Sequence, residues 1–291
     1  MADALYETFH KSSPLGVSYA WRTNSGGHHP LHWHDELEIL YPLSGKADIV
    51  IDGIRHNLAE RQLMVVESGQ IHSTHSEKSS YMFLCIHVCR GKLIDYMPEI
   101  KSLRIRCLPD NIKDSEFPRY LKICQMLDEL TKLYIQESPA FHLEAEGLIL
   151  QVMAQLIDAF SVPVSPLAAH TDKLTTDRIH DVMHYVEEHF HEPLSLSAAA
   201  AHLGLSKEYF CRFFKKNMGI SFLQYLNEIR CAHIYYDLLH TDLTILEIIE
   251  KNGFTNQKLF NRTFKTIYGS TPSEVRRGTA RSRDASHAAP I

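Results

Sequence analysis

At 291 residues the chain has room for about two domains, and its 44% hydrophobic content is that of a folded globular protein. No apolar run approaches the ~18 residues that cross a bilayer. The stretch from Met1 to Tyr6 lacks the basic flank and apolar core of a signal peptide, so the expectation is a cytoplasmic protein with no membrane partner. The net charge of −5 argues against a uniformly basic nucleic-acid binder, but the charge is uneven. There are 15 Lys and Arg against 14 Asp and Glu from residue 172 onward, and 15 against 21 before it. The six cysteines form no CxxC pair and fit free thiols in a reducing compartment.

In chain order, residues 15 to about 90 read as short strands: 17–21, 37–41, 47–51, 63–66 and 82–88 are rich in β-branched and aromatic residues. Asp52-Gly53 is a two-residue hairpin signal. Many short strands with tight turns predict a small barrel or jelly roll. Nine of the 19 histidines fall in the first 87 residues. His32, His34 and Glu38 share parity, so on an extended strand they face one way. His72, from a later strand, could converge on them.

Gly26, His32-Trp33-His34, Glu38 and Gly45, at their spacing, resemble the first signature of the cupin family. Gly69-Gln70-Ile71-His72 resembles the end of its second signature, although Arg61, Glu67 and Ser76 depart from that pattern. The resemblance implies a barrel interior holding His32, His34, Glu38 and His72. Three imidazoles and a carboxylate suit Fe, Mn, Ni or Zn, so a divalent transition metal is the one cofactor the sequence suggests; none is required. Sensor barrels of this type also use the same side chains to hold a small molecule. Trp33, Tyr41, His75 and His87 are further candidates for lining that pocket.

The pattern changes at residue 116. Leu121, Cys124, Leu127, Leu130 and Tyr134 recur at helical spacing; Ser138-Pro139 breaks the run, and Leu143, Gly147, Leu150, Met153 or Ala154, Ile157 and Phe160 continue it. These helices either cover the barrel or pair with a second subunit, and a homodimer is expected. Val162-Pro163-Val164-Ser165-Pro166 reads as an interdomain linker.

The last third contains a repeat at an offset of 50. Phe210-Cys211-Arg212-Phe213-Phe214-Lys215 running to Gly219 is matched by Phe260-Asn261-Arg262-Thr263-Phe264-Lys265 running to Gly269. A glycine turn precedes each copy, Gly204-Leu205-Ser206 and Gly253-Phe254-Thr255. A duplicated unit of this size predicts two helix-turn-helix motifs. Thr176 is expected to cap the first helix, and Ser221 with Gln224 and Thr244 with Glu247 match capping boxes. The helix from Ser221 to His240 would be about 30 Å long, near the ~34 Å between successive major-groove faces.

Leu203-Gly204-Leu205-Ser206, Phe214-Lys215-Lys216, Gly253-Phe254, Phe260-x-Arg262-x-Phe264-Lys265 and Gly269-x-Thr271-Pro272 resemble the DNA-binding domain of AraC/XylS-type transcription regulators. Ile249 departs from the small residue usual there. The resemblance implies double-stranded promoter or operator DNA as partner, with RNA polymerase if the protein activates. Base readers would be Lys207, Glu208, Tyr209, Cys211 and Arg212 in the first unit, and Asn256, Gln257, Lys258, Asn261 and Arg262 in the second. Lys215, Lys216 and Lys265 would meet phosphates.

The expected fold is therefore α+β and multidomain: a cupin-like ligand-sensing domain (1–110), a helical connector or dimerisation segment (111–162), a linker (163–174), an all-α DNA-binding domain with two helix-turn-helix units (175–278) and a disordered tail (279–291). The expected function is non-enzymatic: DNA-binding transcription regulation controlled by a small molecule, a sugar or an organic acid. The alternative is a metal-dependent cupin enzyme, a dioxygenase or isomerase, fused to a DNA-binding domain.

Overall fold

The computed structural model of the chain describes residues 16–25, 28–75, 80–136, 139–164 and 166–277. Gly26, Ser76, Ser138, Ser165, the N-terminal stretch and the tail lie outside them. The Asp52-Gly53 turn closes a hairpin between β4 (Ala47–Ile51) and β5 (Ile54–Leu58), with Ile51 opposite Ile54. Both turn residues have positive φ, 49° and 79°, as a type I′ turn demands.

The remaining strands of this region are β1 (Val17–Ser25), β2 (His28–His32), β3 (Leu37–Ser44), β6 (Met64–Val66), β7 (His72–His75) and β8 (Ser80–Val88). They form two four-stranded antiparallel sheets, ordered β1-β8-β3-β6 and β2-β7-β4-β5. Alternation then sorts the side chains. Leu40, Ile49, Ile51, Met64, Val66, Phe83 and Cys85 pack between the sheets. Leu37, Ile39, Tyr41, Val65, Leu84, Ile86 and Val88 face the other way, into a second core.

That second core is closed by helices. After a short α1 (Arg90–Leu93) and β9 (Leu103–Ile105), α2 (Phe117–Ile135) and α3 (Phe141–Phe160) lie on the outer face. Their buried stripes are Tyr120, Ile123, Cys124, Leu127 and Leu130, then Ala145, Ile149, Val152, Met153, Leu156 and Phe160. The phase differs from the sequence expectation: Leu121, Tyr134 and Leu143 are exposed. An apolar residue on a two-helix layer need not face the core, and here the covered sheet selects the stripe.

The expected linker is mostly ordered structure. Pro163 ends β10 (Ser161–Pro163), which pairs with β9, and α4 runs from Pro166 to His189. This helix starts ten residues before Thr176. Proline costs nothing at a first helical position, and Leu167-Ala168-Ala169 are good helix formers. Among the described residues, no helix is long and apolar enough to cross a membrane.

The C-terminal helices are α5 (Leu196–His202), α6 (Lys207–Met218), α7 (Phe222–His240), α8 (Ile245–Lys251) and α9 (Gln257–Tyr268). Ser195, Ser206, Ser221, Thr244 and Asn256 each accept a backbone N–H as N-cap. Thr244 and Glu247 form a full capping box. Ser221 caps alone, because the Gln224 amide donates to Glu228 one turn on. Arg230, buried on α7, donates to the Phe190 and Glu192 carbonyls and so ties the end of α4 to the second unit.

Candidate functional site

Two sites are built on this frame. The first lies between the sheets. His32 and His34 enter from the end of β2 and the turn after it, Glu38 from β3, His72 from β7 and His87 from β8, where it is the register partner of Glu38. All five are buried. His34, His72 and His87 place Nε2 at 3.5, 3.0 and 3.2 Å from the Glu38 carboxylate. Donor atoms of His32, His34 and His72 lie within 4.8 Å of one another, as do those of His34, Glu38 and His87.

The outer nitrogens fix the tautomers. Nδ1 of His34 is 2.9 Å from the Glu36 carbonyl, that of His72 is 3.0 Å from the Gln70 carbonyl, and that of His32 is 2.9 Å from the Pro30 carbonyl. A carbonyl only accepts, so each Nδ1 carries the proton and donates. A neutral ring then turns a bare Nε2 lone pair inward. Burial pushes the Glu38 carboxyl up, but the contacts from His34, His72 and His87 outweigh it and hold it well below the usual carboxylate range. At the closest approach, His72 Nε2 and Glu38 Oε2 meet at 3.0 Å outside hydrogen-bond geometry. Lone pairs facing a carboxylate require positive charge between them, either protons or a metal ion. The 3.0–3.5 Å separations match the ~3–3.5 Å between ligand atoms that share an ion at ~2.1 Å, and backbone carbonyls on the far nitrogens are the usual support for metal-bound imidazoles.

Three candidates lie elsewhere. Trp33 points out of the barrel and stacks on His180 of α4, with ring centroids 3.4 Å apart and planes within 5°. Tyr41 faces the helical layer, where its hydroxyl donates to Asp128. His75 sits on the outward face beside His28, 5.7 Å between rings. Strand alternation explains each: outward residues cannot reach the space between sheets. His29, whose ring packs 4.1 Å from that of His32, escaped the sequence reading because a bulge between them breaks the period of two.

The second site is the paired helices α6 and α9. Each has 12 residues and ends on a left-handed glycine, Gly219 or Gly269. Each buries the same three positions, Phe210, Phe214 and Met218 in one, Phe260, Phe264 and Tyr268 in the other. Ser206 and Asn256 cap at the same offset, so the extra residue of the second copy lies in its turn. All the remaining predicted readers are exposed: Lys207, Glu208, Tyr209, Cys211, Arg212, Lys215 and Lys216 on α6, and Gln257, Lys258, Asn261, Arg262 and Lys265 on α9. Asn256 is committed differently. Its side-chain oxygen accepts from the Leu259 N–H at 2.9 Å, which competes with bidentate pairing to adenine.

Comparison with known proteins finds family matches in both halves of the chain. Residues 16–153 match the family model of an AraC-like ligand binding domain, and residues 199–278 match that of a helix-turn-helix domain. An uncharacterised HTH-type transcriptional regulator of Staphylococcus aureus (strain MRSA252) is 29% identical over 175 residues, 59% of this chain and 23% of that protein. The chain thus spans about a quarter of the length of that relative. The uncharacterised HTH-type transcriptional regulator YdeC of Bacillus subtilis (strain 168) is 23% identical over 285 residues, covering 91% of this chain and 93% of its own length. Among solved structures, the C-terminal domain of AraT, a response regulator from Geobacillus stearothermophilus, is 34% identical, covering 35% of this chain and 84% of that one, with a TM-score of 0.33.

Proposed function

The chain belongs to the AraC family of DNA-binding transcription regulators, and on that premise we propose that it is a cytoplasmic, effector-controlled regulator whose two reading helices grip one face of double-stranded promoter or operator DNA. The observation that carries this reading is the matched pair α6 and α9. They have equal length, equal buried faces and equal caps, and both expose polar and basic residues. Gln257, Lys258, Asn261 and Arg262 read bases in one groove segment. Lys207, Glu208, Tyr209, Cys211 and Arg212 read in the other. Lys215, Lys216 and Lys265 hold phosphates. Selecting duplexes from a random library with the full chain tests it: enrichment of a two-part motif supports the reading, and no enrichment over competitor DNA overturns it.

The effector site is the space between the sheets. His34, His72, His87 and Glu38, with His32 beside them, would hold a divalent transition ion, which would supply a Lewis-acidic anchor for a small oxygen-rich effector such as a sugar or organic acid. The tautomers set by the Glu36 and Gln70 carbonyls support this. Metal analysis of the full chain, with His34→Ala and His72→Ala as controls, checks it. Turnover of a substrate by the metal-loaded protein would favour a fused cupin enzyme instead. Dimerisation would use the α3 stripe of Leu143, Gly147 and Ala154, which is exposed. Sedimentation of Leu143→Glu against the parent checks that assignment. RNA polymerase would be the further partner if the protein activates.

A further inference from the structure

The sheet that carries the histidines has a second face, and that face lies on the DNA-binding helices. Leu31 and Ile71 are buried in one core with Ile179, Val182 and Val186 of α4, Phe214 and Met218 of α6 and Tyr225 of α7. Leu31 and Ile71 are each the sequence neighbour of a cluster histidine, His32 and His72. Trp33, between His32 and His34, stacks on His180, whose Nε2 donates to the Gly69 carbonyl at 3.2 Å. The same strands therefore hold the cluster on one side and the reader on the other.

The contacts converge on the far ends of both reading helices. Gly53, in the β4–β5 turn, meets Gly219, the cap of α6, backbone to backbone. A methyl carbon at Gly219 would fall 2.9 Å from the Gly53 Cα. On the other side His28 of β2 packs edge-on against Tyr268, the last residue of α9, and lies 3.9 Å from Glu228 of α7. One sheet thus spans the C-terminal ends of α6 and α9, opposite the ends that begin the readers.

The seam is not fully satisfied. Neither ring nitrogen of His28 has a hydrogen-bond partner, and the buried Tyr225 hydroxyl has none. Apolar contacts favour the docked arrangement, while these groups regain water when it opens. Such a balance leaves an equilibrium that a ligand can shift.

We infer that β2, β7 and the β4–β5 turn form a positioning element that couples the histidine site to the spacing of the two reading helices, with Trp33 and His180 as its positioning residues. Holding His34 and His72 on a bound ion, with His32 beside them, would fix the strands that carry Leu31, Trp33 and Ile71, and these would fix α4 and α6. The inference rests on the proposed ion site, and the test separates the two.

Zinc(II) is titrated into the full chain, and three quantities are read: zinc affinity, hydrogen exchange over residues 28–33, 177–183 and 214–220, and affinity for a duplex selected by the parent protein. In the parent, zinc should slow exchange in all three segments and change duplex affinity about tenfold, in the usual range for coupled sites. His180→Ala should keep zinc affinity and protection of 28–33, but lose the zinc effect on 214–220 and on DNA. His180→Phe, which keeps a ring over Trp33, should retain the coupling. Trp33→Ala serves as a second uncoupling variant should His180→Ala fail to fold. Zinc binding without a response at 177–183 and 214–220, or a parent-like response in both uncoupling variants, overturns the coupling alone. No zinc binding by the parent removes the ion site, and the coupling with it.

Discussion

The helices α6 and α9 are alike where they are buried and unlike where they are exposed. Positions at the same offset carry Phe210 and Phe260, Phe214 and Phe264, and each pair is wholly buried. Elsewhere the first helix presents Tyr209, Cys211 and Lys216, where the second has the half-buried Leu259 and the exposed Asn261 and Thr266. Only Arg212 with Arg262 and Lys215 with Lys265 are kept on the outer face. On the proposed reading this division assigns the roles: the repeated interior holds the unit, the repeated lysines would grip the DNA backbone, and the arginines with the differing surface would distinguish two DNA segments.

The largest effects should come from the shared interior. Phe214→Ala and Phe264→Ala should each cost about 3–5 kcal/mol by chemical denaturation, the range for emptying a fully buried aromatic site. The cores differ, since Phe214 belongs with α4 and the sheet while Phe264 belongs with α8 and the end of α7. Phe214→Ala should therefore loosen the seam with the barrel and Phe264→Ala should not. Equal exchange behaviour at 177–183 in the two variants would erase that distinction.

Arg212→Ala and Arg262→Ala come next. Each should weaken specific binding by about 1–3 kcal/mol if it contacts a base, with relaxed preference in its own half of the selected motif. Loss of preference in the same half for both would break the assignment of one segment per helix.

Caps follow. Ser206→Ala and Asn256→Ala should each lower stability by about 0.5–2 kcal/mol. Asn256→Ser should restore the cap, and if capping is the main role of Asn256 it should leave the DNA motif unchanged. A motif shifted at one position would return Asn256 to the readers. The smallest effect is expected at Lys215 and Lys265: alanine there should weaken all duplexes alike and reduce the salt slope by about 1. A sequence-selective loss would contradict the phosphate role.

Much of this arrangement was legible in the residues, and the misses share a cause. From α5 onward the second half announced itself because caps, periodicity and the repeat pointed the same way, whereas Thr176, expected as a cap, lies inside α4. Thr244 with Glu247 closed as read. In the first half, β2, β5 and β7 have the sequences HHPLH, IRHNL and HSTH. Strands rich in histidine carry little hydrophobic alternation, so the spans of these three did not stand out, although His32 and His72 were placed on strands and Asp52-Gly53 marked the β4–β5 hairpin. His32, His34 and Glu38 do converge, but from β2, the turn after it and β3 and not from the one extended strand that their parity assumed. Trp33 illustrates the limit of composition: an aromatic between two ligand-type histidines suggests the same pocket, but alternation sends it to the opposite face. The start of α4 was hidden because Pro163 and Pro166, three apart, read as a linker. One ends a strand and the other begins a helix.

Footprinting of the full chain on a selected duplex tests the central claim most directly. The account predicts two protected patches in successive major grooves on one face, about one helical turn apart. Arg212→Ala should open one patch and Arg262→Ala the other. A single patch, or loss of both patches in either variant, would contradict a reader with two distinct units.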